Sequence, residues 1–258
     1  MHFLERTHLF CFDTIDSTHR EAERLVRHGV TGEFVVWALS QTAGRGRLER
    51  PWVSPPGNLY CTVRIQRHFH SSGLLSLLGG VALQHWLSML VPSSVALQCK
   101  WPNDLYANGG KLAGLLIQTI PMVEGGSPSF LVSLGLNGEK APKTGDYPTA
   151  SLASLGVQSL SPERLLEGWM EALEHGIADW QTYGNEWLRD RWMSVAWGCG
   201  HVITMQQGNQ RISGKMRGIT DEGALELQLA DGTTCLMHSG HMIREDRLLP
   251  QPNDEGLL

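Results

Sequence analysis

Two stretches of the chain concentrate residue types that bind and activate anions. The first is Gln41-Thr-Ala-Gly44-Arg45-Gly46-Arg47-Leu-Glu49-Arg50-Pro-Trp52, with two glycines and three arginines in the seven residues from Gly44. Glycines let backbone amides approach a ligand, and guanidinium forks donate in pairs to phosphate or carboxylate oxygens. This reads as an anion-binding loop; a solvated, charged turn is the other reading its composition allows. Neither common nucleotide cradle is spelled out. G-x-G-x-x-G would need glycine where Glu49 stands, and no G-x-x-x-x-G-K-[ST] occurs in the sequence.

The second stretch is Lys100-Trp101-Pro102-Asn103-Asp104-Leu105-Tyr106, a turn at Asn108-Gly109-Gly110, and then Lys111-Leu112-Ala113-Gly114. The chain holds five lysines against sixteen arginines, so two of the five here are conspicuous. Flanking a hairpin, Lys100 and Lys111 would point toward one ligand face. Asn103 and Asp104 bring oxygens suited to a hard cation such as Mg²⁺, and the small Ala113-Gly114 pair leaves room for a ligand at the backbone. Taken alone, Asn108-Gly-Gly110 is also an ordinary hairpin turn and Asp104 a turn cap.

The elements that must carry these stretches can be read from periodicity. Thr18 and Glu21 spell a T-x-x-E capping box, Ala22, Leu25 and Val26 follow at helical spacing and Gly29 can stop the turn, which predicts a helix over about 17–28. Phe34–Leu39 reads as a buried strand and Leu59–Ile65 as a half-buried one. A helix over 74–90 is followed by strand-like runs at 95–99, 111–120 and 130–136. Ser161-Pro162-Glu163 opens a helix reaching Trp180, with another over about 185–193. Beyond Cys199, short β segments separated by Gly208-Asn209, Asp221-Glu-Gly223 and Asp231-Gly232 predict a small β-barrel or sandwich. The fold class is α+β, a mixed sheet packed with helices plus a small β domain. The boundaries expected are 1–198, 199–250 and a tail at 251–258.

The formal charge of −5, from 21 basic and 26 acidic side chains, does not supply the field that nonspecific nucleic-acid binding needs, so any anion must be held locally. Five cysteines, odd in number and without a C-x-x-C pair, argue against a disulfide framework or thiolate zinc site and fit a reducing cytoplasm. Glu5, Arg6 and His8 interrupt any signal-peptide core, and the apolar run 74–91 contains Gly, Gln, His and Ser, which suits a buried helix and no membrane partner.

With these residues in view, the chain resembles the biotin protein ligases, the biotin-[acetyl-CoA-carboxylase] ligase group. The resemblance is carried by Asp16-Ser17-Thr18, Gln41 to Arg47, Trp52-Val-Ser54-Pro-Pro-Gly57-Asn58-Leu59, Lys100 to Asp104, Lys111 to Gly114 and Gly135-Leu-Asn137, and it spans about residues 10–245. It implies a class II synthetase-like catalytic domain and an SH3-like C-terminal domain. The implied reaction has two steps. Biotin carboxylate attacks the α-phosphate of MgATP to give biotinoyl-AMP, and a lysine of a biotin carboxyl carrier domain, of acetyl-CoA carboxylase or a related carboxylase, then takes the acyl group. ATP supplies the leaving group, so no enzyme nucleophile is needed, and none of the motifs G-x-S-x-G, S-x-x-K and H-E-x-x-H was read in the chain.

By the same resemblance, Lys111 is the catalytic lysine, bridging biotin carboxylate and α-phosphate, with Arg47 beside it. Ser17, Thr18, His19, Gln41, Arg45, Gly46, Arg47, Lys111 and Gly114 are implied biotin contacts. Arg45, Arg47, Arg50, Trp52, Asn103, Lys111, Asn137 and Arg244 are implied nucleotide contacts, and Asp104 the Mg²⁺ ligand. Arg45 and Arg47 belong to a loop that closes over biotin and the adenylate. Two positions depart from the family pattern: Leu48-Glu49 stand where Arg-Gly is common, and His19 stands where Asn is common. Few residues precede Asp16, so a winged-helix DNA-binding domain is not expected. A lipoate or octanoyl transferase would lack Lys100–Asp104 and the loop arginines; a binding-only module would lack turnover. A homodimer is left open.

Overall fold

The computed structural model describes residues 7–67, 69, 71–121, 129–143 and 147–243. In chain order its elements are β1 (His8–Ile15), α1 (Thr18–Arg27), β2 (Phe34–Gln41), β3 (Leu59–Ile65), α2 (Ser72–Ser88), β4 (Leu97–Lys100), β5 (Asp104–Ala107), β6 (Gly110–Ile120), β7 (Ser129–Leu136) and α3 (Pro162–Ser194). Five short strands follow, β8 (Val202–Gln207), β9 (Gln210–Ile219), β10 (Leu225–Gln228), β11 (Thr234–Met237) and β12 (His241–Ile243). Seven strands form one mixed sheet in the order β1-β2-β3-β7-β6-β5-β4, and β8–β12 form a separate antiparallel sheet in the order β11-β10-β9-β8-β12. Among the described strands only β1 and β2 pair in parallel.

α2 is apolar around most of its circumference because it is sandwiched between the large sheet and α3, with Leu75, Leu78, Leu83 and Leu87 fully or almost fully buried. Each such side chain contributes about 1.5–3 kcal/mol on removal from water. Glycines make the close fit possible: a Cβ on Gly79 would lie 2.9 Å from Leu115 of β6, and one on Gly176 of α3 would lie 3.0 Å from Ala82. Among the described residues, no helix is long and apolar enough to cross a membrane.

Most expected elements are present with ends displaced by one to three residues, and the differences have physical reasons. The T-x-x-E capping box does not form. Ser17 is the N-cap residue and makes no side-chain cap bond; the Thr18 hydroxyl turns to Gln41 Oε1 (3.2 Å) and Glu21 to Arg24 (2.6 Å). β3 is buried along its whole length rather than half-buried, because it lies centrally between β2 and β7. β1, β5 and β12 are additional to the expected strands; β1 is an edge strand without regular alternation, and β12 is only three residues long. The two C-terminal helices are present as expected: α3 is two helical segments separated by a kink at Gly184 (φ 79°, ψ −169°).

The small sheet docks against the start of α2. Ser71 Oγ donates to Glu222 O (2.8 Å), Trp101 Nε1 donates to Gly223 O (3.0 Å), and Arg189 pairs with Asp221 (3.0 Å). Gly73 and Gly223 meet at this seam: a Cβ on Gly223 would lie 2.8 Å from the Gly73 carbonyl carbon, and Gly223 itself sits at φ 86°. Gly223→Ala should therefore lower chemical-denaturation stability by about 1–3 kcal/mol through overpacking and an unfavourable φ. An unchanged midpoint would show that the seam yields freely.

Candidate active site

Lys111 sits at the start of β6, and a bulge decides where it points. The β5–β6 register runs Tyr106 opposite Lys111 and then, after a slip of one residue, Leu105 opposite Ala113 and Asp104 opposite Gly114. In a regular strand, residues three apart face opposite sides. The extra residue restores the parity, so Lys111, Asp104 and Gly114 meet on one face: a Cβ on Gly114 would lie 3.3 Å from both Asp104 Oδ1 and Lys111 Cε. Lys111 Nζ is 2.7 Å from Asp104 Oδ1, with the two side chains 13% and 20% exposed. The same ammonium lies 5.3 Å from the ring centres of both Trp52 and Tyr147, close enough for cation–π attraction.

Trp52 packs flat onto the sheet where glycine leaves space. A Cβ on Gly135 would lie 2.4 Å from its indole and one on Gly114 3.1 Å from it. The indole Nε1 is buried without a hydrogen-bond partner among the described residues. The loop holding Trp52 is fixed to β2 through Gln41, whose Nε2 donates to Ser54 Oγ (2.9 Å) and whose Oε1 accepts from the Thr18 amide (2.8 Å) and hydroxyl (3.2 Å).

The start of α1 forms a neutral, hydrogen-bonding end of the site. Asp16 accepts from the Ser17 amide (2.7 Å) and clasps Arg24 through two bonds (2.7 and 3.0 Å), which fixes the turn and lowers the Asp16 pKa from 3.8 to about 2. The Ser17 hydroxyl is buried with no partner among the described residues, a group aimed at something else. His19, 6% exposed, hydrogen-bonds Ser133 Oγ (2.7 Å) and Gln118 Oε1 (2.5 Å). Gln118 in turn donates to Glu23, which orients its amide oxygen toward His19 and so places a proton on Nε2. Burial holds the His19 pKa below the usual histidine value. Thr62 links Ser133 (2.8 Å) to Thr18 (3.1 Å), completing a buried chain of hydroxyls.

Ser17, Thr18, His19, Gln41, Ser133, Trp52, Asp104, Lys111 and Tyr147 line one cavity of about 490 Å³, within the range of small-molecule sites. Five cationic residues, Arg45, Arg47, Arg50, Lys100 and Lys111, line it against one described carboxylate, Asp104. The local charge is thus opposite to that of the whole chain. Arg47 reaches Asn103 Oδ1 at 3.5 Å, and burial lowers its pKa. Gly240–Ile243 from the small sheet supply a further wall; His241 there is held below the usual histidine pKa by burial and by Arg50 and Lys100.

The cavity brings together nearly all the expected positions: Ser17 to His19, Gln41, Arg45 to Arg47, Arg50, Trp52, Asn103, Asp104, Lys111 and Gly114. Asp104 opens β5 rather than capping a turn, and Lys100, at the end of β4, and Lys111, at the start of β6, flank the middle strand of a three-strand meander rather than a single hairpin. Lys100 also lies over the rings of Tyr106 and Trp197 (4.9 and 5.1 Å). Asn137 does not line the main cavity. Its amide donates to Ala150 O (2.9 Å) and Lys111 O (3.3 Å), and it borders a small cleft shared with Trp52 and Tyr147. Arg244 lies outside the described residues. Sequence reasoning missed Ser133, Tyr147 and His241 as lining residues; an isolated serine, tyrosine or histidine carries no local signal.

Because the folded pKa of Asp16 is depressed, its contribution to stability is full above the unfolded value near 3.8 and is lost as pH falls through about 2. The stability advantage of the wild type over an Asp16→Asn variant should therefore shrink between pH 4 and pH 2 (roughly the window set by the two values). Urea midpoints across that range check this; a constant gap would remove the Asp16–Arg24 clasp from the account.

Comparison with known proteins agrees with this geometry. Residues 11–139 match the model of the biotin/lipoate A/B protein ligase family, and residues 198–243 match that of the biotin protein ligase C-terminal domain. A biotin–[acetyl-CoA-carboxylase] ligase of Paracoccus denitrificans is 34% identical over 223 residues, covering 83% of this chain and 91% of the relative. Its counterpart from Mycobacterium tuberculosis is 32% identical over 217 residues, covering 81% and 78%. The biotin protein ligase of Aquifex aeolicus, solved in complex with biotin and ATP, superposes with a TM-score of 0.76 at 22% identity, covering 92% of this chain and 97% of that one, and shares its fold. The chain belongs to the biotin/lipoate A/B protein ligase family, among its biotin protein ligases.

Proposed function

We propose that this chain joins biotin to ATP as biotinoyl-AMP, releasing pyrophosphate, and then passes the biotinoyl group to a lysine of a biotin carboxyl carrier domain. The observation that carries the reading is a single cavity with a neutral hydroxyl and amide end, built on Ser17, Thr18 and Gln41, and five cationic side chains, Lys111 among them. A urea ring suits the first end, since it needs fixed polar partners rather than charges, and the unpartnered Ser17 hydroxyl is one such partner. A lipoyl dithiolane ring would leave that hydroxyl unsatisfied, at about 1–3 kcal/mol, so the lipoate reading is disfavoured.

In the first step a biotin carboxylate oxygen attacks the α-phosphorus, and the bond from that phosphorus to the bridging oxygen of the β-phosphate breaks. Lys111 lies where its ammonium can face both anions. Asp104 and the rings of Trp52 and Tyr147 keep it oriented, so little reorganisation is needed as charge develops. Arg47 adds a second positive group on the Asn103 side. Asp104 Oδ1 already faces the Lys111 ammonium, so its carboxylate would serve as one shared ligand to a cation that keeps most of its ligands from phosphate and water. Mg²⁺ held there with the nucleotide would neutralise phosphate charge. In the second step a neutral lysine amine attacks the acyl carbon, AMP leaves, and the amine loses a proton.

The nucleotide base is assigned to the cleft beside Trp52, Tyr147 and Asn137, and the boundary between catalytic and C-terminal domains to residue 198. The five cysteines are all free, which supports a cytoplasmic setting.

Lys111→Ala should reduce biotin-dependent exchange of pyrophosphate into ATP by at least about a thousandfold, as loss of a preorganised charge-stabilising group does, while the circular dichroism spectrum stays native. Near-normal exchange would refute its assigned role. Arg47→Ala should speed escape of biotinoyl-AMP, measured by trapping free adenylate in solution; unchanged retention would remove Arg47 from loop closure.

A further inference from the structure

The Gln41–Trp52 loop contains an ion pair for which the proposed chemistry has no use. Arg45 Nη2 lies 2.6 Å from a carboxylate oxygen of Glu49, with the two side chains 30% and 74% exposed. The backbone that brings them together is one that L residues rarely adopt: Leu48 at φ 54° and Glu49 at φ 58°, side by side. The turn is closed by Gly46 N donating to Arg50 O (2.8 Å) and Arg50 N donating to Arg47 O (3.2 Å). Two successive left-handed side chains persist only where their surroundings over-determine them, and the Arg45–Glu49 contact spans this turn.

The two arginines of the loop have different engagements. Arg47 turns toward Asn103, whereas Arg45 lines the same cavity with a carboxylate of the chain's own already on its guanidinium. Both charges of the pair also act on buried His19, Arg45 opposing its protonation and Glu49 favouring it, which places the pair beside the polar end of the cavity.

We infer that Glu49 is an internal counter-ion, holding Arg45 until a carboxylate or phosphate of a ligand takes the guanidinium in its place. The inference deepens the function proposed above and rests on it. Glu49 is on this view a positioning residue acting through Arg45, and it lowers affinity for anionic ligands while leaving neutral ones alone. A pair this exposed is weak and screened by salt, so the effect is about two- to fivefold.

The test is calorimetric titration of biotin, its neutral primary amide and inorganic pyrophosphate into wild type, Glu49→Gln, Arg45→Gln and the double variant, at about 0.02 M and about 0.5 M salt. Glu49→Gln should tighten biotin, pyrophosphate or both by about two- to fivefold at low salt, with the gain fading at high salt and absent in the Arg45→Gln background. The amide should not change. A gain for biotin alone identifies the carboxylate as the group Arg45 meets, and a gain for pyrophosphate alone identifies a phosphate. The inference is overturned if neither anion tightens, if the amide gains as much as the anions, or if the gain survives without Arg45. A wild type that binds neither biotin nor its amide would instead sink the biotin reading, while the pyrophosphate titrations still decide the role of Glu49.

Discussion

An ammonium group set in a confined, aromatic-walled space constrains everything around it. Lys111 has one carboxylate at 2.7 Å and two rings at 5.3 Å, and these partners replace part of the water it gives up. Each partner depends on a backbone feature elsewhere. Asp104 reaches the same face only because β6 carries an extra residue opposite β5. Trp52 reaches it only because Gly114 and Gly135 leave the sheet surface bare. The bulge and the two glycines therefore shape the candidate site as much as the lysine does, although neither glycine offers a side chain.

The rest of the cavity combines a neutral, hydrogen-bonding wall with cationic side chains. The neutral end rests on α1, whose first residues are pinned by Asp16 and Gln41 rather than by a side-chain cap. The cationic side chains come from separate parts of the chain, the loop arginines, Lys100 at the end of β4 and Lys111 in β6, with Gly240 to Ile243 of the small sheet as a further wall. That combination suits a ligand pair that carries both an uncharged ring and charged groups.

Much of this was legible in the sequence because the informative residues cluster. Gln41 to Trp52 and Lys100 to Gly114 are short blocks in which glycine, arginine and lysine are unusually dense, and both line the cavity. The helices and most strands followed from periodicity. What was not legible depended on contacts between distant residues. The capping box at Thr18 and Glu21 was a sound local pattern, but Gln41, 23 residues away, offered the Thr18 hydroxyl a competing acceptor. The slip between β5 and β6 has no signature in Lys111-Leu-Ala-Gly114, because it shows only when one strand is laid against the other. β1 was missed because an edge strand buries too little to impose alternation. Asn137 borders the small cleft beside Trp52 and Tyr147 rather than the main cavity, and its amide is held by the Lys111 and Ala150 carbonyls, contacts that Gly135-Leu-Asn137 does not spell out.

The meeting of Gly73 with Gly223 sets a rule for recombination between relatives. Because backbone touches backbone there, a small sheet transplanted from another ligase would have to bring a residue without a side chain to the same point, or stand off from α2. Standing off would carry Gly240–Ile243 away from the arginines and leave the cationic end open on one side. Chimeras that ignore this pair would inherit two sound halves and an active site that does not close.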